Sequence, residues 1–151
     1  MLALLFRLGS ERFALDLAGL TAILPNSHIQ PIPHAPPEIR GEFNWRGRMV
    51  PVIDLRQLFF GVPCEWTLTT RLVVFRWQGK NQRGNVALRA EGITDTVEYR
   101  PADLQRPSVS DPQRPGIVGS VVAEGQLIRV VDPQALVWES FRDILFREAV
   151  T

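Results

Sequence analysis

The chain has few cysteines and no long apolar runs. Cys64 is its only cysteine, so no disulfide can form within the chain, and a reducing compartment fits this usage. No apolar run approaches the roughly 20 residues needed to cross a bilayer. The apolar start at residues 2–6 is too short for a signal-peptide core and is interrupted by Arg7. We therefore expect a soluble, cytoplasmic protein.

The chain also lacks an excess of charge of either sign. Its 17 basic and 16 acidic side chains leave a formal net charge of +1. A large nucleic-acid footprint needs a clustered basic stripe, and an anionic membrane attracts a polybasic segment. The composition therefore predicts neither a nucleic-acid partner nor direct membrane contact. At 151 residues the chain is long enough for a single domain, 1–151, with a substantial core.

Alternation of apolar residues at every second position dominates the chain and is typical of β-strands. It predicts an opening strand pair at 2–17, two strands around a turn at 44–47, strands at 72–77, 84–90 and 93–99, and a closing hairpin of 117–123 with 127–131. About nine short strands with few helices predict a mainly β barrel architecture. Two proline-rich connections, 25–37 and 100–116, are expected to be extended and ordered.

Two short helices are predicted between these strands. Leu17, Leu20 and Leu24 recur at helical spacing, with Asp16 as a candidate cap and Pro25 as the stop. A second short helix is predicted to begin at the Asp54 cap and to end at Gly61.

A C-terminal amphipathic helix is expected at about 133–149. Asp132 is its predicted cap, and Pro133 occupies the first helical position, where its missing N–H does no harm. The predicted apolar face comprises Val137, Trp138, Phe141, Ile144 and Leu145. Two interpretations of this helix stay open: it docks on the barrels, or Leu136 and Phe146, which lie off the main stripe, mark a surface for a partner helix.

The turn at 44–47 carries the strongest candidate binding residues. Asn44 and Gly47 are turn formers because both residue types tolerate positive φ. Between them, Trp45 and Arg46 are expected to project outward from the hairpin tip. Trp and Arg are the residue types most enriched at binding hot spots. The alternative is an ordinary tip, with Trp45 folded back on the barrel and Arg46 solvated.

The stretch from 39 to 56, IRGEFNWRGRMVPVIDLR, resembles the signature of the CheW-like family, the adaptor domains of bacterial chemosensory arrays. The resemblance extends over residues 2–137. Its central residues are Asn44, Arg46, Gly47, Pro51, Val52, Asp54, Leu55 and Arg56.

The resemblance implies two SH3-like five-stranded β-barrel lobes that share a hydrophobic core, with short helices and a C-terminal helix. It implies no active site, cofactor or metal. The implied partners are the regulatory domain of a chemosensory histidine kinase and the cytoplasmic tip of a methyl-accepting chemoreceptor, in arrays near the inner membrane.

The resemblance also assigns roles to individual residues. Arg46, at the tip formed by residues 44–47, falls on the arginine that the family associates with receptor and signalling contacts. Leu20 and Ile23 fall on part of the family's docking surface. Pro51, Asp54, Leu55 and Arg56 are expected to be structural, with Asp54 and Arg56 bracing the start of a helix.

Three departures from the family pattern bear on the partner. Ala22 stands where the family often has Glu, Trp45 replaces a common Leu, and Arg89 puts a charge where an apolar residue is usual. These departures leave the predicted fold unaffected. They suggest a pathway other than standard motility, such as control of surface behaviour or of a second messenger.

Two other classes of function stay open at this point. Barrel mouths host ligands, so a small-ligand binder or a β-barrel enzyme of unknown substrate is an alternative, although no convergent acid and base residues are evident. Small barrels also bind single-stranded nucleic acid on aromatic platforms, for which Trp45 and Trp77 would be the candidates.

Overall fold

The computed structural model describes residues 1–80, 83–109 and 111–145. Within that part of the chain lie nine strands, two α-helices and a 3-10 helix at Pro101–Asp103. The strands are β1 Leu2–Leu8, β2 Glu11–Asp16, β3 Leu20–Pro25, β4 Ile39–Trp45, β5 Arg48–Asp54, β6 Arg71–Gln78, β7 Arg83–Glu98, β8 Ile117–Ala123 and β9 Gln126–Val131; the helices are α1 Leu55–Phe60 and α2 Pro133–Phe141. No helix in these ranges is long and apolar enough to span a membrane.

The strands form two groups of five that share β7. Lobe A has the order β7-β1-β2-β9-β8, and lobe B has the order β3-β6-β7-β5-β4. Each lobe contains one parallel pair, β2 with β9 in lobe A and β5 with β7 in lobe B. The predicted mainly β fold with two five-stranded lobes is confirmed.

The prediction of separate strands at 84–90 and 93–99 is wrong. A single strand, β7, runs from Arg83 to Glu98, pairs with β6 as far as Ala90 and with β1 from Glu91 onward. Gly92 has φ +60°, and the register shifts beside it. A glycine with positive φ inside a strand makes a bulge that bends the strand, so the glycine marks a change of lobe instead of a chain reversal.

The largest hydrophobic cluster is shared by the two lobes. It joins Phe6 and Phe13 of lobe A to Phe75 and Trp77 of lobe B, and α2 and α1 pack into it as well. Phe6 and Phe13 stack with their ring centroids 5.4 Å apart. We call this cluster the shared core.

Two smaller clusters fill the individual lobes. The lobe B core contains Phe43, Val50, Val52, Leu72, Val74 and Ala87. The lobe A core contains Ala3, Ala14, Val121, Ile128 and Val130. Strands such as β6 contribute alternate side chains to the shared core and to the lobe B core, so they are buried on both faces.

The helix predicted between Asp16 and Pro25 is wrong, because residues 20–25 form β3. Leu20 and Leu24 are also compatible with a period of two, and the burial of β3 alternates at every residue. β3 pairs with β6, which supplies the backbone hydrogen bonds that would otherwise come from a helix. Asp16 does act as a local cap, since its Oδ1 accepts a hydrogen bond from the Ala18 N–H at 2.9 Å.

The C-terminal helix begins as predicted and docks on the barrels, and three of the five residues of its predicted apolar face are buried. The side chain of Asp132 accepts from the Gln134 N–H at 2.9 Å, and Pro133 follows at the first helical position. Val137, Phe141 and Leu145 of the predicted face lie in the shared core together with Leu136. Trp138 and Ile144 are about 40% exposed.

Leu136 is therefore a core residue and marks no partner surface. It is fully buried, because positions i, i+3, i+4 and i+8 from Pro133 lie on one face of a helix. α2 ends at Phe141, so the prediction that the helix continues is wrong for residues 142–145, which form turns. Phe146 and the predicted continuation over 146–149 lie outside the described residues.

The first proline-rich connection is held on the sheet by a backbone bridge. Gln30 exchanges two hydrogen bonds with Glu42, at 2.8 and 2.9 Å. Gly41, beside the bridge, has φ +140°, and a Cβ there would lie 2.1 Å from the Gln30 carbonyl oxygen. Only glycine allows this close approach of two backbones.

We predict that Gly41→Ala lowers the free energy of unfolding by about 2 kcal/mol or more, because the new Cβ must displace the backbone of the bridge. Urea unfolding followed by circular dichroism measures this change. Gly125→Ala is the matched control: its φ is +75°, but nothing lies within 4 Å of the added Cβ. Equal losses in the two variants would contradict the role of the close approach at Gly41.

Candidate functional site

The hairpin tip between β4 and β5 is a two-residue turn. Arg46 and Gly47 have φ of +52° and +81°, and the last paired residues are Trp45 and Arg48. Positive φ at both central residues matches the twist of a two-residue hairpin. Asn44 contributes through its side chain, whose Oδ1 accepts from the Gly47 N–H at 3.0 Å. The positive φ expected for Asn44 belongs instead to Arg46.

Trp45 and Arg46 differ in exposure, contrary to the prediction that both project outward. Trp45 is half-buried against the lobe B core. Arg46 is exposed, and its guanidinium carbon lies 4.6 Å from the centroid of the Trp45 ring. A guanidinium over an aromatic face is attracted by the ring, so this stacking restricts the arginine side chain.

The two candidate residues of β3 lie in different environments. Leu20 is partly buried against the shared core, whereas Ile23 is 43% exposed on the outer face of lobe B. Leu20 pairs with Phe75 and Ile23 pairs with Val73, and both partners face the shared core, whereas Ala22 faces the lobe B core. The bulge between Leu20 and Ala22 therefore places Leu20 and Ile23 on the same face of the sheet, although they differ in burial.

The motif at 51–56 lies buried or half-buried at the junction of β5 and α1. Pro51 is half-buried in β5, Leu55 is fully buried in the shared core, and Asp54 is fully buried as the N-cap of α1. The Asp54 carboxylate accepts from the N–H groups of Gln57 and Cys64, each at 3.0 Å. It thereby connects the start of α1 to the loop that follows the helix.

The charge at Arg89 is buried beside Asp54. Arg89 is 5% exposed, and its Nη1 lies 3.8 Å from the Asp54 carboxylate. Burial lowers the pKa of the Arg89 guanidinium, and the charge of Asp54 partly opposes this effect. Arg89, which departs from the family pattern, is therefore paired with Asp54, which belongs to the family motif.

Glu91 joins the two lobes and was missed as a structural residue. Its carboxylate accepts from Arg56 Nη1 at 2.9 Å, from the Glu65 N–H at 2.5 Å and from the Gly9 N–H at 3.4 Å. The hydrogen bond to Glu91 raises the pKa of Arg56. The signal in the sequence was a carboxylate directly before Gly92, the residue at which β7 bends.

Among the described residues, no three His, Cys, Asp or Glu side chains come together as metal ligands. An open cleft of about 1000 Å³ beside β8 is lined by Arg114 and Arg129. Both guanidinium groups already bind the Glu11 carboxylate, at 3.1 and 3.3 Å.

Two five-stranded lobes around a shared core, with a rigid exposed hairpin tip, define a two-lobed, mainly β domain. The model of the CheW-like domain matches residues 2–140, and the chain belongs to this family.

Individual proteins of known name or structure agree with this assignment. The chain is 26% identical over 129 residues to the chemotaxis protein CheW of Rhizobium meliloti, covering 84% of this chain and 81% of that protein. A shorter match to the Treponema pallidum chemotaxis protein CheW is 37% identical over 54 residues and covers 36% of this chain and 32% of that protein. The crystal structure of the scaffolding protein TtCheW from Thermoanaerobacter tengcongensis superposes with a TM-score of 0.77 at 21% identity, covering 89% of this chain and 86% of that one.

We predict that Asp54→Asn lowers the free energy of unfolding by about 3 kcal/mol, because it leaves the buried Arg89 guanidinium without a counter-charge. Urea unfolding of Asp54→Asn, Arg89→Val and the double variant measures the coupling between the two residues. The double variant is expected to recover part of the loss. Strictly additive losses would show that the two charges do not depend on each other.

The pH dependence of the Cys64 thiol provides a second test of this region. Burial, and next the nearby Asp54 carboxylate, raise the pKa of Cys64. The thiol of the unfolded chain ionises near its ordinary pKa of about 8.5, so stability should be intact below that pH and fall as pH rises above it. Cys64→Ala is expected to flatten the alkaline limb of a stability–pH profile; an unchanged limb would contradict the assignment.

Proposed function

We propose that this chain is a non-catalytic adaptor that couples chemoreceptors to a chemosensory histidine kinase. The observation that carries the proposal is the match of the CheW-like domain model to residues 2–140. The relatives' names place those proteins in chemotaxis, and one of the solved relatives is called a scaffolding protein. The proposed partners are the regulatory domain of the kinase and the cytoplasmic tip of a methyl-accepting receptor, at cytoplasmic receptor arrays near the inner membrane.

The architecture suits a rigid connector. The two lobes share one strand and one core, so a partner on lobe A and a partner on lobe B are held at a fixed relative orientation. Adaptors of this kind need exposed docking residues and no reacting groups. Arg46 on its braced turn and Ile23 on the outer face of β3 meet that requirement.

We further propose that the partners belong to a pathway other than standard motility. The support comes from the chain's own surface: Trp45 packs beneath Arg46 at the tip, and Ala22 offers no polar group beside Ile23. Many members of the family have Leu where this chain has Trp45. A receptor surface that fits Arg46 stacked on Trp45 therefore differs from one that fits an arginine beside leucine. Control of surface behaviour or of a second messenger is the proposed output.

We predict that Arg46→Glu weakens binding to the receptor fragment or to the kinase regulatory domain at least tenfold, because it reverses the charge of an exposed hot-spot residue. Pull-down and titration calorimetry with purified partners from the same cell measure this loss. Circular dichroism checks that the variant is folded.

Two variants make the result specific. Arg46→Asn removes the charge but tolerates positive φ, so it keeps the turn and should show a smaller loss than Arg46→Glu. Arg100→Glu makes the same charge change at an exposed position far along the chain and should bind normally. Unchanged binding by folded Arg46→Glu would remove Arg46 from the site, and binding of the wild-type protein to neither partner would remove the adaptor function.

A further inference from the structure

The two lobes carry opposite net charges that the neutral total conceals. Residues 20–90, which form lobe B, contain nine basic and four acidic side chains, a net charge of +5. The rest of the chain contains eight basic and twelve acidic side chains, a net charge of −4. A domain with separated charge presents different surfaces to its partners, even when its overall charge is close to zero.

The strand register gathers much of this positive charge at one end of lobe B. β5 runs parallel to β7 with Val52 beside Ala87. Extending this register four residues towards the start of each strand puts Arg48 level with Arg83. Arg76 of β6 pairs with Asn85, which is two residues after Arg83 on β7. Arg46 at the hairpin tip and Lys80 in the β6–β7 connection extend beyond this end of the strands. We call Arg46, Arg48, Arg76, Lys80 and Arg83 the arginine end of lobe B.

Three of these arginines continue the inner face of the lobe. Side chains two residues apart on a strand share a face. Arg48 is two residues from Val50, and Arg76 is two residues from Val74; both valines belong to the lobe B core. Arg83 lies four residues before Ala87 of the lobe B core, so it is on the same face of β7. The three guanidinium groups therefore stand where the core of lobe B opens to solvent.

No described carboxylate pairs with the basic residues at this end of lobe B. All five basic residues are exposed, and none forms an ion pair with another described residue. The segments that carry them, residues 43–53 and 66–90, contain no acidic residue. Elsewhere in the chain Arg56, Arg114 and Arg129 each have a carboxylate partner.

Apolar surface accompanies the cations. Met49, next to Arg48, is 49% exposed, and Trp45 is half-buried under Arg46. Arginine, methionine and aromatic side chains together are typical of protein–protein interfaces. A nucleic-acid site would need a free aromatic face for base stacking, but Arg46 covers a face of Trp45, and Trp77 is 1% exposed.

We infer that the arginine end of lobe B is a docking surface for an acidic segment of a partner protein, one that carries several carboxylates with apolar residues between them. Guanidinium groups bind carboxylates through paired hydrogen bonds, and unpaired surface arginines bring no internal ion pair that must first be broken. The positive field would also speed the encounter with such a segment. This surface extends the hairpin site proposed above and specifies the chemistry of what binds there.

The test uses the full chain and one defined probe, an amphipathic peptide of about 20 residues built from Glu, Leu and Ala. Neither receptor nor kinase is present in it. The peptide can therefore fail to bind while the adaptor function holds, and the adaptor function can fail while the peptide binds. We expect the peptide to shift the NMR signals of the Arg48 and Arg83 Nε–H groups. Affinity should drop at least tenfold in R48E/R83E and less than twofold in R100E/R142E, which makes the same charge change outside lobe B.

The other outcomes each decide against the inference. Absence of peptide binding, or equal losses in the two double variants, would overturn it. Tighter binding of single-stranded DNA or of phosphatidylglycerol vesicles, with shifts of the same arginine signals, would assign the surface to a different macromolecule. If R48E/R83E does not fold, the neutral variant R48Q/R83Q serves in its place, with a smaller expected loss.

Discussion

The rest of this structure depends on the continuity of β7. One strand of 16 residues belongs to both lobes, so its backbone hydrogen bonds fix lobe A and lobe B to each other as firmly as strands within a sheet are fixed. The bulge at Gly92 redirects the strand without interrupting it. The shared core then fills the angle between the lobes, and the stacked rings of Phe6 and Phe13 pack there with α1 and α2.

Polar groups secure the junction where β7 changes lobe. Glu91 receives hydrogen bonds from Arg56, from the loop after α1 and from the β1–β2 turn, so a single carboxylate holds three segments. Two residues earlier, Arg89 is buried beside Asp54, which also caps α1. A buried ion pair of this kind adds little net stability, but removing one partner is strongly destabilising because it leaves the other charge buried and unpaired. They therefore favour one arrangement of the segments over the alternatives.

The surface of the molecule combines this rigidity with an uneven distribution of charge. The core of lobe B ends among unpaired arginines, and lobe A together with α2 carries the acidic excess. An adaptor benefits from both properties, since a rigid scaffold sets the geometry of its partners and separated charges steer different partners to different ends. The overall charge of +1 gave no hint of this separation, because it sums two lobes of opposite sign.

The sequence by itself determined most of the local structure. Period-two alternation located most of the strands but not β3. The turns at Gly9 and Gly125 and the caps at Asp54 and Asp132 were predictable, because each depends on residues within a few positions of one another. The tertiary structure alone decided that Leu20 lies in a strand, because its hydrogen-bond partners come from β6, about 55 residues away. It also decided that β7 is continuous, that Arg89 is paired, and that basic residues of two separate hairpins lie at the same end of lobe B. Those outcomes depend on strand pairing between remote segments, and no local pattern of residues records which segments will pair.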